Sequence, residues 1–248
     1  MPLKLAAVSY LNTKPFIFGL QHFSKTLDID LNTFEPHLCA QQLINNQAQV
    51  GLVPVAALSK IPNAQIISNY CIGAIQQVDS VLILSQVPIE NISHLYLDYQ
   101  SRTSVALAQI LLKHYWKKEA VLLQSQPGFE NKINQTTAAV IIGDRALHLK
   151  HKFSYCYDLA TAWHSYKQLP FMFAAWVSTV PLSKPFINAF NQACATGIEA
   201  IPTIDALLKT QPGYYNNTLD YLTNKISYHR TPDKMEALKQ FTMLLDAL

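Results

Sequence analysis

The run Leu3-Lys4-Leu5-Ala6-Ala7-Val8-Ser9 leads through Tyr10-Leu11-Asn12-Thr13-Lys14 into Pro15-Phe16-Ile17-Phe18-Gly19-Leu20-Gln21-His22-Phe23. The first seven residues form a short, mostly apolar run of the kind a buried strand needs. Pro15 stands where a helix can begin, because the first-turn N–H that proline lacks has no intrahelical partner anyway. Next, Asp28–Phe34 reads as a second strand and Leu38–Asn46 as a helix with Pro36 able to open its first turn. Gln49–Val53 reads as a third strand and Val55–Ile61 as a helical turn. Strand and helix alternate from the start, the βαβαβ pattern of a parallel sheet with helices on its faces, so the class is α/β.

Ser80–Ser85 is a further buried-type strand, ending at Val87-Pro88, and a second alternating series follows. It comprises strand His94–Asp98, helix Arg102–Lys117, strands Val121–Gln124 and Ala138–Ile142, and helix Asp158–Gln168. The Arg102 helix sets Val105, Ala108, Leu111, Leu112 and Tyr115 on one face. After strand Phe171–Val177 helices dominate. Ser183–Glu199 carries the stripe Phe186, Phe190, Ala193, Gly197 behind an N-cap at Ser183. Thr231–Leu248 carries Met235, Leu238, Phe241, Leu245 behind Thr231 and Pro232. This order predicts a discontinuous first lobe (1–85 with 178–248) and an inserted second lobe (86–177). Ser80–Ser85 and Phe171–Val177 would cross between them, with a ligand cleft at the carboxyl ends of the strands.

The 248 residues are half apolar, 14% charged and of net charge +3, enough for two ordered lobes of roughly 100 residues each. The longest basic run is Lys117-Lys118, too small a footprint for nucleic acid, so a small-molecule partner is expected. No charged n-region and long apolar segment open the chain, and no apolar stretch reaches about 18 residues. We therefore expect neither a secretory signal nor a membrane partner. The four cysteines, Cys39, Cys71, Cys156 and Cys194, form no Cys-x-x-Cys pair, which suits free thiols in a cytoplasmic protein.

Glycine-rich phosphate loops and the Gly-x-Ser-x-Gly elbow are absent. His148 and His151 share a helical spacing but lie beside Lys150 and Lys152 with no acidic third ligand, so no metal is expected. Four segments at strand ends stand out. In Ser9–Pro15, Asn12 can donate and accept, and the helix start offers amides to an anion; an ordinary capped turn would read the same way. Asp98-Tyr99-Gln100-Ser101-Arg102-Thr103-Ser104 packs three hydroxyls and a guanidinium into a helix start. One cap needs one hydroxyl, so an anion such as a carboxylate or phosphate is favoured. Ser80, after Val78-Asp79, would face the cleft or be a strand-edge serine. Gly143-Asp144-Arg145-Ala146 places Asp144 either as a cap or as a rim carboxylate, and Asp158 and Trp163 follow nearby.

Together these segments resemble the chorismate dehydratase (MqnA) family of the futalosine route to menaquinone. The resemblance rests on Val8-Ser9-Tyr10-Leu11-Asn12-Thr13-Lys14-Pro15, Gly51-Leu52-Val53-Pro54-Val55-Ala56 and Ser80–Pro88. It continues with Ser101-Arg102-Thr103-Ser104-Val105-Ala106-Leu107-Ala108, Gly143-Asp144-Arg145-Ala146-Leu147, and Asp158-Leu159 through Leu169-Pro170-Phe171. Gln49 departs from the Asp often found before the third strand. The resemblance implies the two-lobed type 2 periplasmic-binding-protein fold, a cofactor-independent hydro-lyase, and chorismate as substrate. It implies Asn12 and Ser80 as catalytic residues. Ser9, Val55, Ala56, Ser101, Arg102, Thr103, Ser104, Gly143 and Asp144 would bind substrate. The general base is either Asp144 or the substrate's own enolpyruvyl carboxylate, and the latter is preferred.

Two alternatives stay beside that expectation. The related 1,4-dihydroxy-6-naphthoate synthase is expected to carry a histidine after a second-lobe strand, where this chain has Ile142-Gly143-Asp144-Arg145. A non-catalytic binder of a small carboxylate would share the fold, because fold alone does not decide function.

Overall fold

The computed structural model describes residues 2–248. The chain divides into two compact units, 2–73 with Met172–Pro232, and Ala74–Phe171 with Asp233–Leu248. Each holds a five-stranded sheet.

In the first unit, β1 (Leu3–Val8), a 3-10 turn (Leu11–Thr13), α1 (Lys14–His22), α2 (Ser24–Leu27), β2 (Ile29–Phe34), α3 (Pro36–Ile44) and β3 (Val50–Pro54) follow one another. A 3-10 turn (Val55–Lys60) then leads to β4 (Gln65–Ala74). The strand order is β2-β1-β3-β10-β4, with β10 being Phe171–Ser178. β1 runs parallel to β2 and β3, and β10 runs antiparallel to β3. The expected βαβαβ series is present. β4 was not anticipated, because its exposed Gln65 and Asn69 break up the apolar pattern.

In the second unit come β5 (Val81–Ser85), β6 (His94–Leu97), α4 (Arg102–Leu111), β7 (Val121–Gln124), β8 (Thr137–Ile142), α5 (Gly143–Leu149), β9 (Tyr155–Asp158) and α6 (Leu159–Lys167). Their order is β7-β6-β8-β5-β9. β6 is parallel to β7 and β8, and β5 is antiparallel to β8 and β9. The structure departs from three expectations. Ser80–Ser85 belongs to this sheet and not to the first lobe, because both of its neighbours lie later in the chain. Phe171–Val177 pairs in the first sheet, so the units part near Gly73 and Phe171, and not at 85 and 177. Finally, the α4 stripe does not extend to Tyr115. The chain passes into a π turn at Leu112–Trp116, whose wider turn rotates the side chains, and Tyr115 is 38% exposed.

Three helices follow β10: α7 (Lys184–Glu199), α8 (Ile201–Leu208) and α9 (Thr218–Asp220). Ser183 caps α7 by accepting from the Phe186 amide at 3.3 Å. The last helix, α10 (Pro232–Leu245), completes the second unit and not the first. Its Phe241 meets Phe171 edge-on at 5.2 Å and Trp163 at 6.4 Å. The corresponding aromatic centre of the first unit is Phe16, packed on Trp176 at 5.9 Å and Tyr228 at 5.3 Å. Each such ring contributes about 1.5–3 kcal/mol over its exposed state. Among the described residues no helix is long and apolar enough to cross a membrane.

Candidate functional site

In the first unit the parallel register Leu5↔Val50, Ala6↔Gly51 brings the exits of β1 and β3 to the same end of the sheet. Ser9, Asn12, Val55 and Ala56 therefore cluster there. Ser9 extends the β1–β2 ladder, its amide donating to the Phe34 carbonyl at 2.9 Å. The 3-10 turn then places Asn12 half-buried and Thr13 fully buried. Two bonds hold Asn12: its carbonyl accepts from the Tyr228 hydroxyl at 3.1 Å, and its Oδ1 accepts from the Thr13 hydroxyl at 3.2 Å. With Oδ1 engaged, Nδ2 is the atom the turn presents as a donor. Tyr228 itself is buried, which pushes its phenol well above the usual range and keeps it a neutral donor. Val55 and Ala56 are buried at the start of their 3-10 turn. Thr13 does not cap α1, since no side chain accepts from its first amides.

In the second unit four segments meet at one end of the sheet. Val81 pairs with Ile142 and Leu82 with Asp158, so Ser80, Gly143 and Asp158 are neighbours. The Gly143 amide donates to the Ser80 carbonyl at 2.8 Å. Gly143 adopts φ +62, a left-handed conformation that favours glycine. Ser80 is 1% exposed. Asp144 stands half-buried in the first turn of α5.

The turn after β6 carries the hydroxyls. Ser101 caps α4, accepting from the Ser104 amide at 3.1 Å while its own hydroxyl donates to Ser104 Oγ at 2.8 Å. The cap satisfies only one first-turn amide, and Ser101, Thr103 and Ser104 are all buried. A buried, hydroxyl-rich helix start of this kind favours an anion. Arg102, between Ser101 and Thr103, is exposed.

The guanidinium that reaches the turn is that of Arg145, which sequence reasoning did not single out. Its Nη2 donates to both oxygens of Asp98 at 2.8 and 2.7 Å and to Gln100 Oε1 at 3.0 Å. Glu130 lies 3.9 Å from Nη1, and the rings of Tyr99 and Phe129 lie 5.3 and 5.5 Å from the guanidinium carbon. Asp98 also accepts from the Gln100 amide at 3.0 Å and the Ile142 amide at 3.2 Å. Burial pushes the Asp98 carboxyl above the ordinary aspartate range, against the pull of Arg145 and these amides. Thus one carboxylate joins the exits of β6 and β8. The only sequence signal was an Asp directly after a strand.

Asp158 joins two segments of the chain. Oδ1 accepts from the amides of Ala160 and Thr161 at 2.9 and 3.0 Å, capping α6. Oδ2 accepts from the amides of Val78 and Asp79 at 2.9 and 2.7 Å, in the turn before Ser80. Burial raises its pKa, and the nearby Asp79 adds to that, while these amides oppose them. Trp163 is fully buried on Phe171, in the core and away from any rim. Among the described residues no three His, Cys, Asp or Glu side chains are grouped to hold a metal ion.

Two mixed α/β sheets, each in its own unit, define the class: a two-lobed α/β fold of the periplasmic-binding-protein type. A protein of Archaeoglobus fulgidus superposes with TM-score 0.76 at 14% identity, covering 99% of this chain and 97% of that one. The alkanesulfonate-binding protein SsuA of Xanthomonas axonopodis pv. citri superposes with TM-score 0.67 at 13% identity, covering 99% and 92%. A Candida albicans gene product with the generic periplasmic binding protein fold does so at 0.65 and 13%, covering 100% and 91%. In sequence, the chorismate dehydratase of Thermus thermophilus is 22% identical, covering 98% of this chain and 95% of that protein. A family model described as menaquinone biosynthesis matches residues 3–247. The chain belongs to this menaquinone-biosynthesis family, and its general function lies in that pathway.

Proposed function

We propose that this protein is a chorismate dehydratase, removing water from chorismate to give 3-[(1-carboxyvinyl)oxy]benzoate. The observation that carries the reading is the convergence of Ser80, the buried Ser101–Ser104 helix start and Gly143-Asp144 at one end of the second sheet. The reaction removes the proton on ring C3 and expels the C4 hydroxyl, and together these leave as one water. Between the two events negative charge spreads through the C1–C2 double bond onto the ring carboxylate. Donors already fixed around that carboxylate stabilise this charge as it develops, which lowers the barrier more than it tightens ground-state binding.

Ser101, Thr103 and Ser104 take the ring carboxylate. Asn12, with its Nδ2 available to donate, orients the substrate, and Ser80 attends the leaving hydroxyl; Ser9, Val55, Ala56 and Gly143 line the bound molecule. The chain places no histidine after β8, where the naphthoate synthase reading requires one. The base is the substrate's enolpyruvyl carboxylate, held close to C3 so that proton transfer is intramolecular. No cofactor has a step in this scheme.

Incubation of the purified protein with chorismate tests the reading. An aromatic product that keeps the enolpyruvyl ether supports it. Saturable binding of chorismate with no change in its spectrum would overturn it and support a carboxylate-binding protein, as the solute-binding neighbours allow.

A further inference from the structure

Resting on the dehydratase reading, we propose that Asp158 is a positioning residue for Ser80. Its carboxylate is anchored on α6 and sets the backbone turn from which Ser80 enters β5.

An N-cap needs one oxygen, and Asp158 Oδ1 already serves the amides of Ala160 and Thr161. The second oxygen does something a cap does not require. It binds two successive amides, Val78 and Asp79, that lie 80 and 79 residues away in the chain. Those are the last two residues before Ser80. The turn they form holds Asp79 at φ +63, in the left-handed region that non-glycine residues adopt uncommonly, aspartate more readily than most. Such a conformation persists when its surroundings over-determine it. Here the Asp79 carboxylate is held as well, by Lys150 Nζ at 3.0 Å and Gln77 Nε2 at 2.7 Å. The far side of the turn is fixed by the Gly143 amide on the Ser80 carbonyl at 2.8 Å. Three anchors (Asp158 at the start of α6, Lys150 just after α5, and Gly143 at the start of α5) thereby converge on three consecutive residues, Val78, Asp79 and Ser80. The Ser80 hydroxyl inherits its position from that turn. Asp158 has no need to touch the substrate to govern turnover.

The test compares wild type, Ser80→Ala, Asp158→Asn and Lys150→Met, with chorismate as substrate and folded fraction followed by circular dichroism. An asparagine presents an NH2 group to one of the two amide pairs and cannot hold both segments. Asp158→Asn is expected to lower kcat about 10²-fold, the cost of misplacing a reacting group by about 1 Å. KM should stay within about threefold, because the carboxylate clamp at Ser101–Ser104 is separate. Lys150→Met releases only the Asp79 end and should lower kcat by a smaller factor, about three- to tenfold, measured on the folded protein because losing one partner of this largely buried pair also lowers the melting temperature. A folded Asp158→Asn with wild-type kcat, or a loss that merely follows the unfolded fraction, overturns the proposal. If Asp158→Asn does not fold, an unchanged kcat in Lys150→Met overturns it. A wild type that makes no product refutes the dehydratase reading and this inference with it, whereas a fully active Ser80→Ala refutes the role of Ser80 and this inference and leaves the dehydratase reading standing. An inactive Ser80→Ala beside a fully active Asp158→Asn refutes the inference alone.

Discussion

A Cβ placed on Gly197 would lie 1.8 Å from the carbonyl oxygen of Pro15. Across the same crossing a Cβ on Gly19 would meet the Ala193 carbonyl oxygen at 1.9 Å. α1 and α7 therefore touch backbone to backbone, and α7 holds the residue that ends the Asn12 turn. Gly197→Ala must push the helices apart. The expected loss is about 3 kcal/mol, the upper end for overpacking, read by urea unfolding. Gly213→Ala is the control: nothing lies within 4 Å there, and only its φ of +78 is strained, so about 1–2 kcal/mol is expected. Equal losses at both sites would show that the crossing is not tight.

Arg145→Met tests the join between β6 and β8. Asp98 has a side chain with 0% exposure and Arg145 one with 25%. Removing the guanidinium leaves a buried carboxylate with amide donors alone, at a cost of about 3 kcal/mol. The sign with pH follows. Without Arg145 the folded-state pKa of Asp98 rises further above its unfolded value, so the folded state holds the proton more tightly. The deficit is then small below the unfolded pKa and grows as pH rises through the folded one. Urea midpoints for wild type and variant should converge towards about pH 4 and diverge towards about pH 7. A pH-independent difference would contradict this.

Asp144→Asn addresses the base. With the substrate carboxylate taking the C3 proton, this variant should keep kcat within about threefold of wild type, whereas Asn12→Ala and Ser80→Ala should lose about 10²-fold or more. An Asp144→Asn protein that binds chorismate normally and does not turn it over would make Asp144 the base.

The thiols give a prediction independent of function. Cys156 is exposed, yet partial burial and the Asp158 charge push its pKa up to about 11. Burial pushes Cys39 up to about 12 and raises Cys194. Since the thiolate is the nucleophile, iodoacetamide should modify Cys156 slowly at about pH 8, and the rate should rise roughly tenfold per pH unit. Cys39 and Cys194 should react only after unfolding. Mass mapping of the labelled peptides distinguishes the sites, and rapid labelling of Cys156 at neutral pH would contradict the raised value.

Most strands and helices were legible because apolar spacing is a local property. β1, α1, β2, α3 and β3 fall close to their expected places, and so do β6, β7 and β8. β9 escaped notice because Tyr155-Cys156-Tyr157-Asp158 is four residues long and lacks an aliphatic run. The helix start at Ser101 was readable from its cluster of hydroxyls, since capping chemistry is also local. That Arg145, and not Arg102, serves that turn was not readable. Both follow a strand and both lie near a helix start, and only the pairing of β6 with β8 brings one of them to Asp98.

The sequence alone determined that this chain is α/β, that two alternating series follow one another, and that Asn12, Ser80 and Ser101–Ser104 stand at strand ends. Those features depend on residues a few positions apart, where backbone geometry leaves little choice. Tertiary structure decided which sheet owns Val81–Ser85, which unit α10 completes, and that Asp158 takes hold of the turn before Ser80. An apolar strand or stripe states that a face must be buried without naming its partner. A buried carboxylate likewise requires donors, and the amides it finds at Val78 and Asp79 are brought within reach only when β9 lies beside β5.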